Sequence, residues 1–189
     1  MGYLNLLNAC RTGTRALGPG LRYVIWVQGC PFSCPGCITP EGREIEAKLM
    51  TTSESVAEDI LSRPYIDGLT VSGGEPFLQS ASLSDLIRRI RTVRPNFNVI
   101  IFTGYRLEHL TWHDAEDLLS LADVVIDGQY REDLDDGIGL RGSSNQRILF
   151  LSDRLTSYKD EMEKGCRRRD IEIRGAETLF IGIPDKKGH

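Results

Sequence analysis

Four short apolar runs, each closing in a small polar turn, constrain the fold of this chain most tightly. They cover residues 23–27, 68–71, 99–102 and 124–126, and lead into Gly29-Cys30, Ser72-Gly73-Gly74-Glu75-Pro76, Thr103-Gly104-Tyr105 and Asp127-Gly128. Amphipathic stretches separate them. Thr51-Thr52-Ser53-Glu54 reads as a capping box opening a helix to about residue 62. Ser82 caps a second helix through Leu86, Ile87, Ile90 and Val93 that stops near Pro95. Thr111 with Asp114 caps a third, carrying Leu118, Leu119 and Leu121. A further strand at 148–151, a polar helix over 153–164, and a hairpin of 171–173 with 179–181 around Gly175 follow. Strands alternating with helices imply βαβ units and a mainly parallel sheet. The units are too few for a closed eight-stranded barrel, so the expected fold is α/β, an open partial (β/α) barrel with mainly parallel strands. Ligands in such folds gather at the carboxyl ends of strands, where all four polar turns fall.

The first of those turns is Gly29-Cys30-Pro31-Phe32-Ser33-Cys34-Pro35-Gly36-Cys37, a C-x3-C-x2-C run. The chain has 189 residues, 40% hydrophobic and 26% charged, which suits a single domain over 1–189 with a real core. A net charge of -4 gives no basic footprint for nucleic acid. No stretch is long enough to span a membrane and no signal peptide opens the chain, so a cytoplasmic location is expected. Thiols stay reduced there, and clustered cysteines are ligands more often than disulfides. Five cysteines, an odd number, fit a metal site plus two spare thiols, Cys10 and Cys166.

Three thiolates with no fourth fit an iron–sulfur cubane with one iron left open. The rival is structural zinc, which wants four ligands; Cys10 or His109 could supply the fourth, but no second knuckle exists. Three inert buried thiols form another alternative, against which Gly and Pro between the cysteines argue for an exposed, turning loop. Gly73-Gly74-Glu75-Pro76 taken alone is an ordinary strand-to-helix turn. One βα unit after the cysteine loop, its glycines permit close backbone approach. His109, His113 and His189 show no ligand spacing, Asp135-Asp136 reads as a loop, and Arg167-Arg168-Arg169 reads as a solvated face.

The cysteine run followed by Gly-Gly-Glu-Pro resembles the radical S-adenosylmethionine superfamily. Gly18-Pro19-Gly20-Leu21-Arg22, Val27-Gln28-Gly29, Thr103-Gly104-Tyr105, Asp127-Gly128 and Arg141-Gly142-Ser143-Ser144-Asn145-Gln146 narrow the resemblance to the glycyl-radical activase branch that serves anaerobic ribonucleotide reductases. The likeness covers about residues 1–152, leaving 153–189 as an extension of helix plus hairpin. It implies a radical SAM type of partial barrel. Cys30, Cys34 and Cys37 would hold a 4Fe–4S cluster and be catalytic through it. Gly36, Cys37, Ile38, Gly73, Gly74, Glu75, Thr103 and Gly104 would surround S-adenosyl-L-methionine, with exposed carbonyls and Glu75 accepting hydrogen bonds from its ammonium group. The implied activity is reductive cleavage of that cofactor to a 5′-deoxyadenosyl radical. The implied partners are an anaerobic ribonucleotide reductase or another protein or peptide substrate, and an electron donor such as flavodoxin. A relative modifying a peptide or small metabolite, and a non-catalytic iron–sulfur or zinc module, stand as alternatives. The family's usual Cys-Tyr-Asn is Cys37-Ile38-Thr39 here, and Gly36 replaces an aromatic residue common in the superfamily.

Overall fold

The computed structural model describes residues 2–175 and 177–184. A seven-stranded sheet has the order β3-β1-β2-β4-β5-β6-β7, with β1 Tyr3–Thr14, β2 Arg22–Val27, β3 Leu49–Thr52, β4 Gly68–Gly73, β5 Asn98–Thr103, β6 Val124–Asp127 and β7 Arg147–Phe150. The central pairs β2–β4, β4–β5 and β5–β6 are parallel; β1, β3 and β7 join antiparallel at the two sides. Each crossover moves one strand in the same direction, and such connections are right-handed, so α1 Ser53–Leu61, α2 Ser80–Val93 and α3 His113–Leu121 lie side by side on one face. That winding is one part of a barrel, left open.

Residue parity on the strands explains the two cores. Tyr23, Ile25, Val27, Leu69, Val71, Val99, Ile101 and Val125 turn toward the helices and meet Val56, Ile60, Leu86, Ile90 and Leu118. Val24, Trp26, Ile100, Val124 and Ile126 turn the other way, onto Leu17, Leu140, Leu155, Met162, Ile181 and Ile183. Strands buried on both faces need continuous apolar runs, which is why they stand out in the sequence.

Details differ from expectation at the ends. α1 is capped by Thr52, whose Oγ1 accepts from the Ser55 amide at 3.1 Å. α2 starts at Ser80, two residues before the expected Ser82, because a 3-10 turn at Pro76–Gln79 feeds straight into it. α3 has Trp112 at its cap with no side-chain hydrogen bond, in place of Thr111 or Asp114. The polar stretch after β7 splits into a 3-10 turn, Asp153–Tyr158, and a short helix α4, Lys159–Lys164. The hairpin forms as expected, β8 Arg169–Arg174 with β9 Glu177–Gly182. Arg167 departs from the solvated reading: its side chain is 1% exposed and pairs with Asp135 at 2.8 Å. Among the described residues no helix is long and apolar enough to cross a membrane.

Arg22 is fully buried at the amino end of the parallel strands. Its Nη1 donates to Pro19 O at 3.1 Å and Asn98 Oδ1 at 2.6 Å, its Nη2 to Leu69 O at 2.5 Å, and its Nε to Thr70 Oγ1. Burial pulls its pKa down. One guanidinium thus ties together the starts of β2, β4 and β5, far along the strands from the polar turns. Arg22→Met leaves those buried acceptors without a donor and is expected to cost about 3 kcal/mol, read from the urea unfolding midpoint.

Candidate functional site

The carboxyl ends of β2, β4, β5 and β6 open on one cavity lined by Cys30, Cys34 and Cys37 together with Ile38, Gly73, Gly74, Glu75, Thr103 and Gly104. Gly36 alone of the expected site residues stands outside the lining. It shapes the cysteine loop instead. The Cys37 amide donates to Cys34 O at 3.3 Å, and Pro35 followed by Gly36 at φ +68° matches a type II turn, whose third residue needs positive φ.

The cysteine loop is fixed to the next strand by backbone contacts. The Gly74 amide donates to Val27 O at 2.7 Å and the Glu75 amide to Gly29 O at 2.8 Å. A Cβ on Gly74 would stand 2.2 Å from Gly29 O, so only glycine lets the two turns meet. The chain then returns beside the first cysteine: the Gly29 amide donates to Gly42 O and the Cys30 amide to Arg43 O. Thr39, in the segment that departs from the family pattern, donates its hydroxyl to Gly73 O at 3.0 Å. That bond takes up part of a carbonyl expected to face a ligand.

Glu75 is fully buried and its carboxylate is turned inward. Its Oε1 accepts from the Phe77 amide at 2.9 Å and Thr103 Oγ1 at 2.8 Å, and its Oε2 from the Gly104 amide at 2.8 Å. Burial lifts its pKa to about 7, against the pull of those three donors. The side chain therefore ties the end of β4 to the end of β5.

The donor set fits an iron–sulfur cluster. All three thiols face one cavity, and thiolate-rich sites select such clusters or zinc. The proposed fourth zinc ligands lie elsewhere. Cys10 is fully buried in the core and does not line the cavity, and neither does His109. Among the described residues no three His, Cys, Asp or Glu side chains surround a single ion-sized position. Burial pushes Cys30 up to about 11 and raises Cys34, so thiol protons must leave when metal binds. Cys166 is exposed, and His189 lies outside the described residues.

The sequence reading missed Trp26, Phe102 and Tyr130 in the lining, which carry no motif, Phe32 within the cysteine run, and also Gly182 and Ile183. The run at 141–146 does join the cavity, through Gly142 and Gln146. Gln146 Oε1 accepts from the Gly142 and Ser143 amides at 2.8 and 3.2 Å, while its Nε2 donates to Gly128 O at 2.7 Å. The run is thus a self-bonded turn that fastens the loop after β6.

The chain matches the family described as 4Fe-4S single cluster domain over residues 16–149. It is 35% identical over 141 residues to the anaerobic ribonucleoside-triphosphate reductase-activating protein of Enterobacteria phage T4, covering 72% of this chain and 88% of that one. The Escherichia coli protein of the same name is 32% identical over 142 residues, 71% of this chain and 91% of that one. A pyruvate formate-lyase-activating enzyme from Staphylococcus aureus is 31% identical over 149 residues, 75% of this chain and 59% of that one. The chain belongs to the single-cluster 4Fe–4S family of radical S-adenosylmethionine proteins.

Two outcomes test this geometry. Gly74→Ala is expected to cost about 2 kcal/mol of stability, because backbone must move to admit the methyl group; iron per chain after anaerobic reconstitution should fall with it. Asp127, at the end of β6, has a fully buried side chain that accepts from Arg106, Arg147 and the Leu107 amide. Burial pushes its pKa up, but the Arg147 hydrogen bonds, the amide and the two arginine charges outweigh it and hold the carboxyl below its ordinary range. A depressed acid stabilises the fold above its unfolded pKa and loses that contribution as pH falls. Asp127→Asn should therefore cost about 2 kcal/mol at pH 7, with the gap closing below about pH 4 in thermal melts.

Proposed function

We propose that this protein is a glycyl-radical activase whose target is an anaerobic ribonucleotide reductase. The observation that carries the reading is the convergence of three thiols, the Gly-Gly-Glu-Pro turn and the ends of β5 and β6 on one cavity. Relatives named for that activity support it. In this reading Cys30, Cys34 and Cys37 hold the 4Fe–4S cluster. Cys37, Ile38, Gly73, Gly74, Thr103 and Gly104 surround S-adenosyl-L-methionine, and Gly36 and Glu75 act by positioning them. Bound there, the two cofactors would supply the radical chemistry: one-electron cleavage of the sulfonium C–S bond with loss of methionine, and transfer of a hydrogen atom from a partner's backbone glycine to give 5′-deoxyadenosine and a glycyl radical.

The chain's own residues supply position and shelter. Glu75 locks Thr103 and Gly104 against the turn after β4, so the walls on either side of the ligand move as one unit. The glycines let the cavity walls meet: a Cβ on Gly73 would strike the Val27 backbone, one on Gly74 the Gly29 carbonyl, and one on Gly104 the Phe32 ring. Phe32 stacks edge-on against Tyr105, with ring centroids 4.8 Å apart, and closes the cavity beside Gly104. The electron comes from a one-electron donor protein such as flavodoxin. The protein works in the cytosol as a single domain, with 153–189 as an extension of it.

The test is anaerobic reconstitution with iron and sulfide, then dithionite and S-adenosyl-L-methionine. Methionine and 5′-deoxyadenosine should appear in equal amounts, and a doublet glycyl signal should form by paramagnetic resonance when an anaerobic ribonucleotide reductase is added. Cys34→Ala should abolish both, while Cys166→Ala leaves both intact. Cleavage without the doublet, together with turnover of a peptide or metabolite, would overturn the choice of target. Absence of cleavage would overturn the enzyme reading.

A further inference from the structure

The matched family region ends at residue 149, yet the chain beyond it reaches back into the cavity. Two fastenings bring it there. Arg167 forms the first, a buried ion pair with Asp135 at 2.8 Å. Its Nη1 also donates to Pro184 O at 2.8 Å, and its Nη2 to Arg141 O at 2.7 Å and Gly142 O at 3.1 Å. One guanidinium thus joins the Asp135 loop, the turn that lines the cavity, and the chain just after β9. Asp170 forms the second: its Oδ2 accepts from Thr14 Oγ1 and from the Arg15 amide, fixing β8 to the end of β1.

Between these fastenings the outgoing strand lies on the sheet face opposite the helices. Ile181 and Ile183 are 3% and 5% exposed and pack in the core that holds Trp26, Ile100 and Ile126. Gly182, at φ +123°, passes so close that a Cβ would meet Arg168 O at 2.4 Å. Gly182 and Ile183 line the same cavity as the three cysteines. The cofactor surroundings proposed above come from the cysteine loop and from the ends of β4 and β5. Gly142, Gln146, Gly182 and Ile183 are among the lining residues that remain for a substrate.

We propose that the C-terminal extension is a wall of the substrate site, with Ile183 setting the width of the approach and Arg167 as the positioning residue that holds it. The proposal rests on the activase reading. The wall admits a slender group, an extended backbone with small side chains such as a glycine segment, and turns away bulky side chains. A rigid apolar wall discriminates by shape, because an added methylene or ring in a fitted pocket displaces the reacting atoms.

The experiment has two readouts. The chain has two tryptophans, so Trp112→Phe leaves Trp26, which lines the cavity, as a lone reporter. In the iron-free chain on that background, Ile183→Ala should raise acrylamide quenching of Trp26 about twofold, and Arg167→Ala should do the same with partial rescue by Arg167→Lys. In reconstituted protein, Ile183→Phe should lower the glycyl-radical yield on the reductase, counted per methionine released, about tenfold. Ile183→Ala keeps the test informative if Arg167→Ala does not fold. Unchanged quenching in Ile183→Ala with unchanged radical yield in Ile183→Phe would overturn the wall. No methionine release from the parent chain would overturn the activase reading instead, and the quenching, read without iron, judges the wall separately.

Discussion

The rest of the site depends on how the turn after β2 meets the turn after β4. The two strands pair in parallel from Arg22 with Gly68 to Val27 with Gly73, and the Gly74 and Glu75 amides carry hydrogen bonding one step past the strand ends. Those two bonds fix where the cysteine loop begins. Everything downstream inherits that position: Thr39 returns to Gly73 O, Glu75 reaches across to Thr103 and Gly104, and the thiols come to face a shared cavity. A glycine at 74 is the steric condition for all of it. The chemistry of three thiolates rests on a backbone contact, and the side chains only complete it.

Much of the fold was legible because its central strands are buried on both faces. Such strands must be apolar throughout, and residues 23–27, 99–102 and 124–126 announce themselves. β1 was not legible. It pairs with β2 through two register shifts and with β3 at the sheet edge, so Asn5, Asn8, Arg11 and Thr12 interrupt any clean pattern. β3 was hidden inside what read as a helix cap. The antiparallel return of β7 depends on the turn built by Gln146, whose partners lie at Gly128 and Gly142 and leave no periodic trace.

The site was legible wherever a motif sat at a strand end. Cysteines, paired glycines and Thr103-Gly104 all line the cavity, since topology gathers strand ends whatever their chemistry. Roles were harder to read than positions. Glu75 reads as a ligand contact because carboxylates accept hydrogen bonds; the structure adds a bracing role, with three internal donors on a buried carboxylate that also lines the cavity. Arg167 looked solvated within a run of three arginines. Its partner Asp135 lies 32 residues earlier in sequence, and no local pattern reports a contact of that range. The same contact brings Ile183 into the cavity, so a chain segment outside the family match contributes to the family's site.

In the proposed site three thiolates leave one iron of the cluster open to the ligand. Mössbauer spectroscopy of protein reconstituted with 57-iron tests it most directly. Four irons per cluster are expected, of which one changes its isomer shift on addition of S-adenosyl-L-methionine while three do not. A cluster whose four irons stay alike with the ligand present, or a chain that takes up tetrahedral zinc and no iron, would contradict it.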